Sequence, residues 1–148
     1  MSARFRASVL LAYSFGKAQR ILAGIDASIG PVIVHSAVEP LNRVYREAGV
    51  RLPPTQLISE VTQRESLRGA LVLCPPGTAA GTWLRNFGEY NDAFASGWMQ
   101  LRGARRRAGH DRGFALSDHA DWLGLMQAID ATRAARVIVT HGSVPVMV

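Results

Sequence analysis

Short apolar runs recur along this chain with helix-period segments between them, and this alternation constrains the fold more than any other feature. The β-branched run "GPVIVHS" (30–36) follows a Gly-Pro turn signal, and "VEPLNRVYREAG" (38–49) reads as a helix closed by Gly49. The pattern repeats with "ALVLCPPG" (70–77) as a buried strand running into a turn, and with "GFAL" (113–116) as a strand followed by a helix over "DHADWLGLMQAIDAT" (118–132). "RVIVTHG" (136–142) reads as a further apolar strand that stops at histidine and glycine. Strands and helices alternating at this spacing predict an α/β layered fold, a largely parallel sheet with flanking helices.

Between these landmarks the pattern is shorter. Leu11, Phe15, Ala18 and Leu22 lie at helical spacing, so "SVLLAYSFGKAQRIL" (8–22) is expected to be one amphipathic helix, with Gly16 inside it marking close packing against another element. "TQLIS" (55–59) and "DAFASGW" (92–98) read as strands, and "TQRESLRG" (62–69) and "WLRNF" (83–87) as short helices. The arginine stretch after residue 101 reads as a loop or exposed hairpin. There is no internal repeat and no low-complexity segment.

Composition narrows the functional classes. Of the 148 residues 48% are hydrophobic and 19% charged, enough to bury a core and inconsistent with disorder. No apolar run approaches the roughly 20 residues needed to span a bilayer, so no membrane association and a cytoplasmic location are expected. The single cysteine, Cys74, excludes an internal disulfide and a multi-cysteine metal site, and its setting in "ALVLC" reads as a buried structural thiol. The net charge is +6, and Lys17 is the only lysine among 17 basic residues. Much of that excess lies in "RGARRRAGHDR" (102–112), where Arg102, Arg105, Arg106, Arg107 and Arg112 face one acid, Asp111. Arginine forks match phosphate oxygens, so this stretch is a candidate polyanion contact as well as a solvated surface turn.

In parallel sheets ligands gather at the carboxyl ends of the strands. Three candidates stand at such ends: His141 after "VIVT", His119 after "GFAL", and the loop "PPGTAAGTW" (75–83) after "ALVLC". His141 can project an imidazole into a cleft as a metal ligand or be structural. His119 lies in "SDHADW" (117–122), between two carboxylates that suit it to general acid work on a phosphate ester, while Ser117 or Asp118 can cap the following helix and Asp121 can serve its first turn. No catalytic triad, nucleophile elbow, P-loop or HExxH motif is present, and two histidines alone cannot hold a catalytic zinc, which takes at least three protein ligands.

The succession "SVLLAYSFGKAQRIL", "GPVIVHSAVEPLNRVYREAG", "FASGWMQLRGARRR", "DRGFALSDHADW" and "RVIVTHG" resembles, over essentially the whole chain and in order, bacterial ligase-associated DNA exonucleases of the β-CASP branch of the metallo-β-lactamase-fold nucleases. The resemblance implies that residues 1–103 form most of the β-CASP domain and residues 104–148 the returning part of the lactamase-like domain. It implies catalytic roles for His119, at the scissile phosphate or leaving group, and for Asp121, orienting the imidazole. It implies that His141 is a ligand to one of two divalent metals, zinc or manganese, which generate hydroxide and clamp the phosphate. Arg102, Arg105, Arg106 and Arg107 would track the DNA backbone. "GKAQ" (16–19) matches the family's small-basic-x-Gln helix. DNA, an ATP-dependent DNA ligase and a helicase are the partners implied, with DNA repair as the setting. Two departures stand out: Ser143 replaces an acid common after the second histidine motif, and the H-x-H-x-D-H ligands are missing. The chain is therefore expected to be a C-terminal-side fragment of a longer enzyme, truncated at both ends and inactive alone. A non-catalytic nucleic-acid-binding module using the arginine stretch is the second reading, and a small-molecule-binding α/β domain the third.

Overall fold

The first strand of the chain, β1 (Ala7–Leu11), is an inner strand of its sheet, pairing in parallel with β4 (Leu71–Cys74) on one side and β5 (Tyr90–Ala95) on the other. The computed structural model describes residues 6–78 and 82–139, which divide into one compact unit ending at Asp118 and another beginning at His119. In the first unit β2 (Val32–Val34) and β3 (Gln56–Leu57) extend the sheet beyond β4, and β6 (Arg112–Phe114) extends it beyond β5. The order β3-β2-β4-β1-β5-β6 is parallel throughout, so the expected α/β fold with a largely parallel sheet and flanking helices is the observed one.

The inner strands β2 and β4 are covered on both faces and are accordingly apolar throughout. Val9, Leu11, Ile33, Val72 and Cys74 pack toward one layer with Leu67 and Leu84, which come from short 3₁₀ segments at Arg64–Leu67 and Thr82–Phe87. Val32, Val34, Leu73 and Ala95 pack toward the other with Ala18, Leu22 and Val38. This second layer is built from α1 (Lys17–Gly24) and α2 (Glu39–Glu47). Helix α2 has Glu39 in its first turn, proline beside it and Arg46 in its last, the charge order the helix dipole favours. Gly30 is fixed by space as well as conformation: its φ is +137°, and an added Cβ would stand 2.6 Å from the carbonyl oxygen of Gly69.

Four expectations are corrected. Residues 8–22 are not one helix: β1 ends at Leu11, a turn follows, and α1 begins at Lys17. The helical spacing holds only where Ala18 and Leu22 are buried, whereas Phe15 is 68% exposed, and Ala7, Val9 and Leu11 alternate inward as a strand requires. Gly16 is the residue before α1, with φ +74°; it is there for its backbone angle, and an added Cβ would meet only an ordinary contact at 3.8 Å. The arginine stretch forms a helix, α3 (Arg102–Ala108), ended by Gly109 in the left-handed conformation, because arginine is a good helix former and glycine a good terminator.

The fourth correction concerns "RVIVTHG". Residues 136–139 join no sheet, Val137 and Ile138 being 48% and 76% exposed, and residues 140–142 lie outside the described residues. An apolar run becomes a strand only beside another strand, and α4 (Trp122–Thr132) is the one regular element among the described residues of the second unit.

Candidate functional site

Because all six strands run the same way, their carboxyl ends open onto one edge of the first unit. The segment "GKAQ" sits there, where the chain leaves β1 and enters α1. The Gly16 N–H donates to Gln19 Oε1 at 2.8 Å, one half of a capping box, and this places Lys17 at the first helical position. Lys17 is only 3% exposed, yet its ammonium is provided for: Nζ lies 2.9 Å from Asp118 Oδ1 and 5.2 Å from the centre of the Tyr13 ring. One turn later Arg20 Nη1 donates to the Ser117 carbonyl at 2.7 Å. Two cations of α1 thus hold the chain where it leaves β6, and Leu116 packs into the same helical layer. The segment "GKAQR" and the beginning of "SDHADW" are brought together from opposite ends of this unit.

Gln19 carries the contact inward. Its Nε2 donates to Asn42 Oδ1 at 2.9 Å, and Asn42 Nδ2 donates to Glu39 Oε2 at 3.0 Å; both amides are buried. Glu39 also accepts from Thr55 Oγ1 at 2.7 Å and from Arg46 Nη1 at 2.8 Å. Burial pushes the Glu39 carboxyl up, but the hydrogen bonds from Thr55, Asn42 and Arg46 together outweigh it and hold it below the usual carboxylate range. This chain of buried amides and one carboxylate fixes α1 against α2.

The candidate catalytic residues lie in the second unit or at its start. Asp121 caps α4, its Oδ1 accepting from the Gly124 N–H at 2.8 Å, so neither Ser117 nor Asp118 fills the cap position expected of them. His119 is exposed and stands two residues before that cap. His141 lies outside the described residues. Among the described residues no group of three or more His, Cys, Asp or Glu side chains is placed to hold a metal ion, so these residues do not fit a metal centre by themselves. On α3, positions 102, 105 and 106 share one helical face, Arg102, Arg106 and Arg107 are exposed, and the Arg107 guanidinium lies against Gly103. In the loop after β4, Thr78 Oγ1 donates to the Pro75 carbonyl at 2.7 Å, and residues 79–81 lie outside the described residues. Cys74 beneath it is fully buried, and burial pushes its thiol up to about 11, consistent with a structural thiol.

Two further features were not singled out from sequence. A cleft of about 590 Å³ opens beside the ends of β2 and β3, lined in part by His35, Ser36, Ser59, Gln63, Trp83 and Phe87. His35 ends the strand "VIV" as His141 follows "VIVT", so the strand-end argument applies to it equally. At the opposite end of β5, Asp92 Oδ2 and His110 Nδ1 are 2.5 Å apart, and Asp92 and Asp111 exchange backbone-to-carboxylate hydrogen bonds at 2.9 and 3.0 Å. Burial raises the Asp92 carboxyl, but the Asp111 N–H and the His110 ring more than reverse this and hold it below the usual range.

Over 134 residues, 90% of its length, the chain is 35% identical to part of a protein of Opitutus terrae named "Probable DNA ligase". The match covers 13% of that protein's length. No family model matches the chain, and no solved structure matches it. No helix among the described residues is long and apolar enough to cross a membrane.

Proposed function

We propose that this chain is part of a metal-dependent nuclease that hydrolyses phosphodiester bonds in DNA, with its substrate cleft along the carboxyl edge of the sheet. The observation that carries the reading is the Lys17–Asp118 ion pair at 2.9 Å. It joins the two segments, "GKAQ" and "SDHADW", on which the resemblance to β-CASP nucleases most depends, and it fixes the residue that directly precedes His119. In this reading His119 acts on the scissile phosphate or the leaving oxygen, Asp121 supports it from the cap of α4, and His141 is a ligand to one of two divalent metals, zinc or manganese. The exposed arginines of α3 take the strand's phosphates.

The likeness to a segment of a protein named as a DNA ligase supports DNA as the substrate, and repair of DNA is proposed as the setting on the resemblance alone. It also supports a ligase as a partner, either in a separate chain or in the same one; a helicase is proposed on the resemblance alone. A binding module without catalysis is the competing reading, favoured by the same exposed arginines.

A nuclease assay on linear DNA separates the two. The 148-residue chain alone is expected to release no nucleotides, and a fusion to an upstream segment bearing H-x-H-x-D-H is expected to release them in a chelator-sensitive way. His119→Ala should abolish release while leaving metal content unchanged, and His141→Ala should lower metal content. A folded fusion that binds DNA without cutting it supports the binding module and overturns the nuclease.

A further inference from the structure

The cleft beside β2 and β3 combines an aromatic wall with neutral polar groups. Trp83 is held in place by its indole N–H, which donates to the Thr78 carbonyl at 2.9 Å. Phe87 meets it edge-on with ring centres 5.4 Å apart, and the His35 ring stands 5.8 Å away on a tilt of 51°. An indole so fixed loses little freedom when a flat ligand stacks on it. The polar lining consists of the hydroxyls of Ser36, Ser59 and Thr62 and the amide of Gln63, all able to donate and to accept. The rest of the lining is apolar, from Ile58, Val61 and Leu67, with the His35 imidazole beside the aromatic wall. At about 590 Å³ the space lies within the range of small-ligand sites.

We propose that this cleft seats one nucleobase, stacked on Trp83 with its hydrogen-bonding edge toward Gln63 and the neighbouring hydroxyls, and with its sugar and phosphate left outside. A base is flat, uncharged and polar at its edge, and these are the properties the lining selects. Hydroxyl and amide groups satisfy donors and acceptors alike, so the site accepts bases without strong preference among them. The cleft is built by residues of the first unit alone, and it does not depend on hydrolysis. A failure of the nuclease reading leaves it standing, and its own failure leaves chelator-sensitive cleavage untouched.

The test is an NMR titration of the ¹⁵N-labelled 148-residue chain with deoxyadenosine, thymidine, deoxyribose and inorganic phosphate, following the Trp83 indole N–H. Assignment comes from the Trp98→Phe and Trp122→Phe variants. Both nucleosides should shift that signal saturably, while deoxyribose and phosphate leave it unmoved. Gln63→Ala should weaken nucleoside binding, and Ser59→Phe, which sets a ring in the mouth of the cleft, should abolish it. Trp83→Ala should weaken it about tenfold or more if that variant folds. A signal that stays still with both nucleosides overturns the proposal. So does a shift of equal size with deoxyribose, which identifies a sugar site, or nucleoside binding that survives both Gln63→Ala and Ser59→Phe.

Discussion

Lys17 Nζ and Asp118 Oδ1 are 2.9 Å apart, but the two side chains share water unequally: that of Lys17 is 4% exposed and that of Asp118 33%. Removing the aspartate strands an ammonium in the interior, whereas removing the lysine leaves a carboxylate that water can reach. Asp118→Ala is therefore expected to cost about 2–3 kcal/mol, and Lys17→Met, which keeps the apolar stem, less than about 1 kcal/mol. Urea unfolding of the two variants checks the order; equal losses would mean that the pair is solvated on both sides.

Asp121 accepts the Gly124 N–H at the start of α4. Asp121→Ala is expected to weaken the helix by about 1 kcal/mol, and Asp121→Asn or Asp121→Ser to restore most of it. Amide exchange across Trp122–Thr132 reads the effect directly. In an active fusion, Asp121→Asn separates capping from any action on His119, because it keeps the cap and removes the charge.

Glu39 and Asp92 both titrate below their ordinary values of 4.5 and 3.8 when folded. A carboxyl with a lowered folded value binds its proton less readily than in the unfolded chain. Its stabilising contribution is complete above the ordinary value and is lost as pH falls through the folded one. The chain should accordingly hold its stability through neutral pH and lose it in acid, starting below about 4.5. Glu39→Gln and Asp92→Asn should each flatten that acid limb when stability is followed by denaturation at stepped pH.

Burial keeps the Cys74 thiol protonated, with its pKa pushed up to about 11. Iodoacetamide at about pH 8 is expected to leave Cys74 unmodified in the folded chain and to alkylate it in urea, as read by intact mass. Fast alkylation without denaturant would place the sulfur in contact with solvent.

Positions 102, 105 and 106 share a face of α3. If that face follows a single strand, replacing all three arginines by alanine should reduce the slope of log affinity against log salt by about 2, at roughly 0.7 for each phosphate no longer neutralised. Fluorescence anisotropy with a labelled oligonucleotide at several salt concentrations measures it.

The sequence disclosed some inner strands of the sheet more readily than others. "VIV" and "LVLC" are buried on both sides and read as strands without context, and α2 carries its own start and stop in Glu39, proline and Gly49. β1 did not, since Leu11, Ala18 and Leu22 fit a helical wheel, and only pairing with β4 and β5 decides that the first part extends. The arginine stretch hid a helix because its charge suggested a loop, although arginine favours helix. For the candidate site, the resemblance picked out "GKAQ" and "SDHADW" but not the bond that ties them, since a contact between distant segments leaves no local pattern. His35 carried a usable signal, a histidine closing an apolar strand. Trp83 and Gln63 carried none, because the cleft is formed by segments that only the folded sheet brings side by side.

The inner position of β1 has a consequence for how the chain is made. Residues 7–11 leave the ribosome well before both of their partners, Leu71–Cys74 and Tyr90–Ala95. β2 and β3 can pair soon after they appear, but β1 must wait, apolar and unpaired, until most of the unit has been translated. The middle of the sheet therefore rests on long-range pairings, a topology that folds slowly and leaves β1 exposed in the nascent chain while it waits.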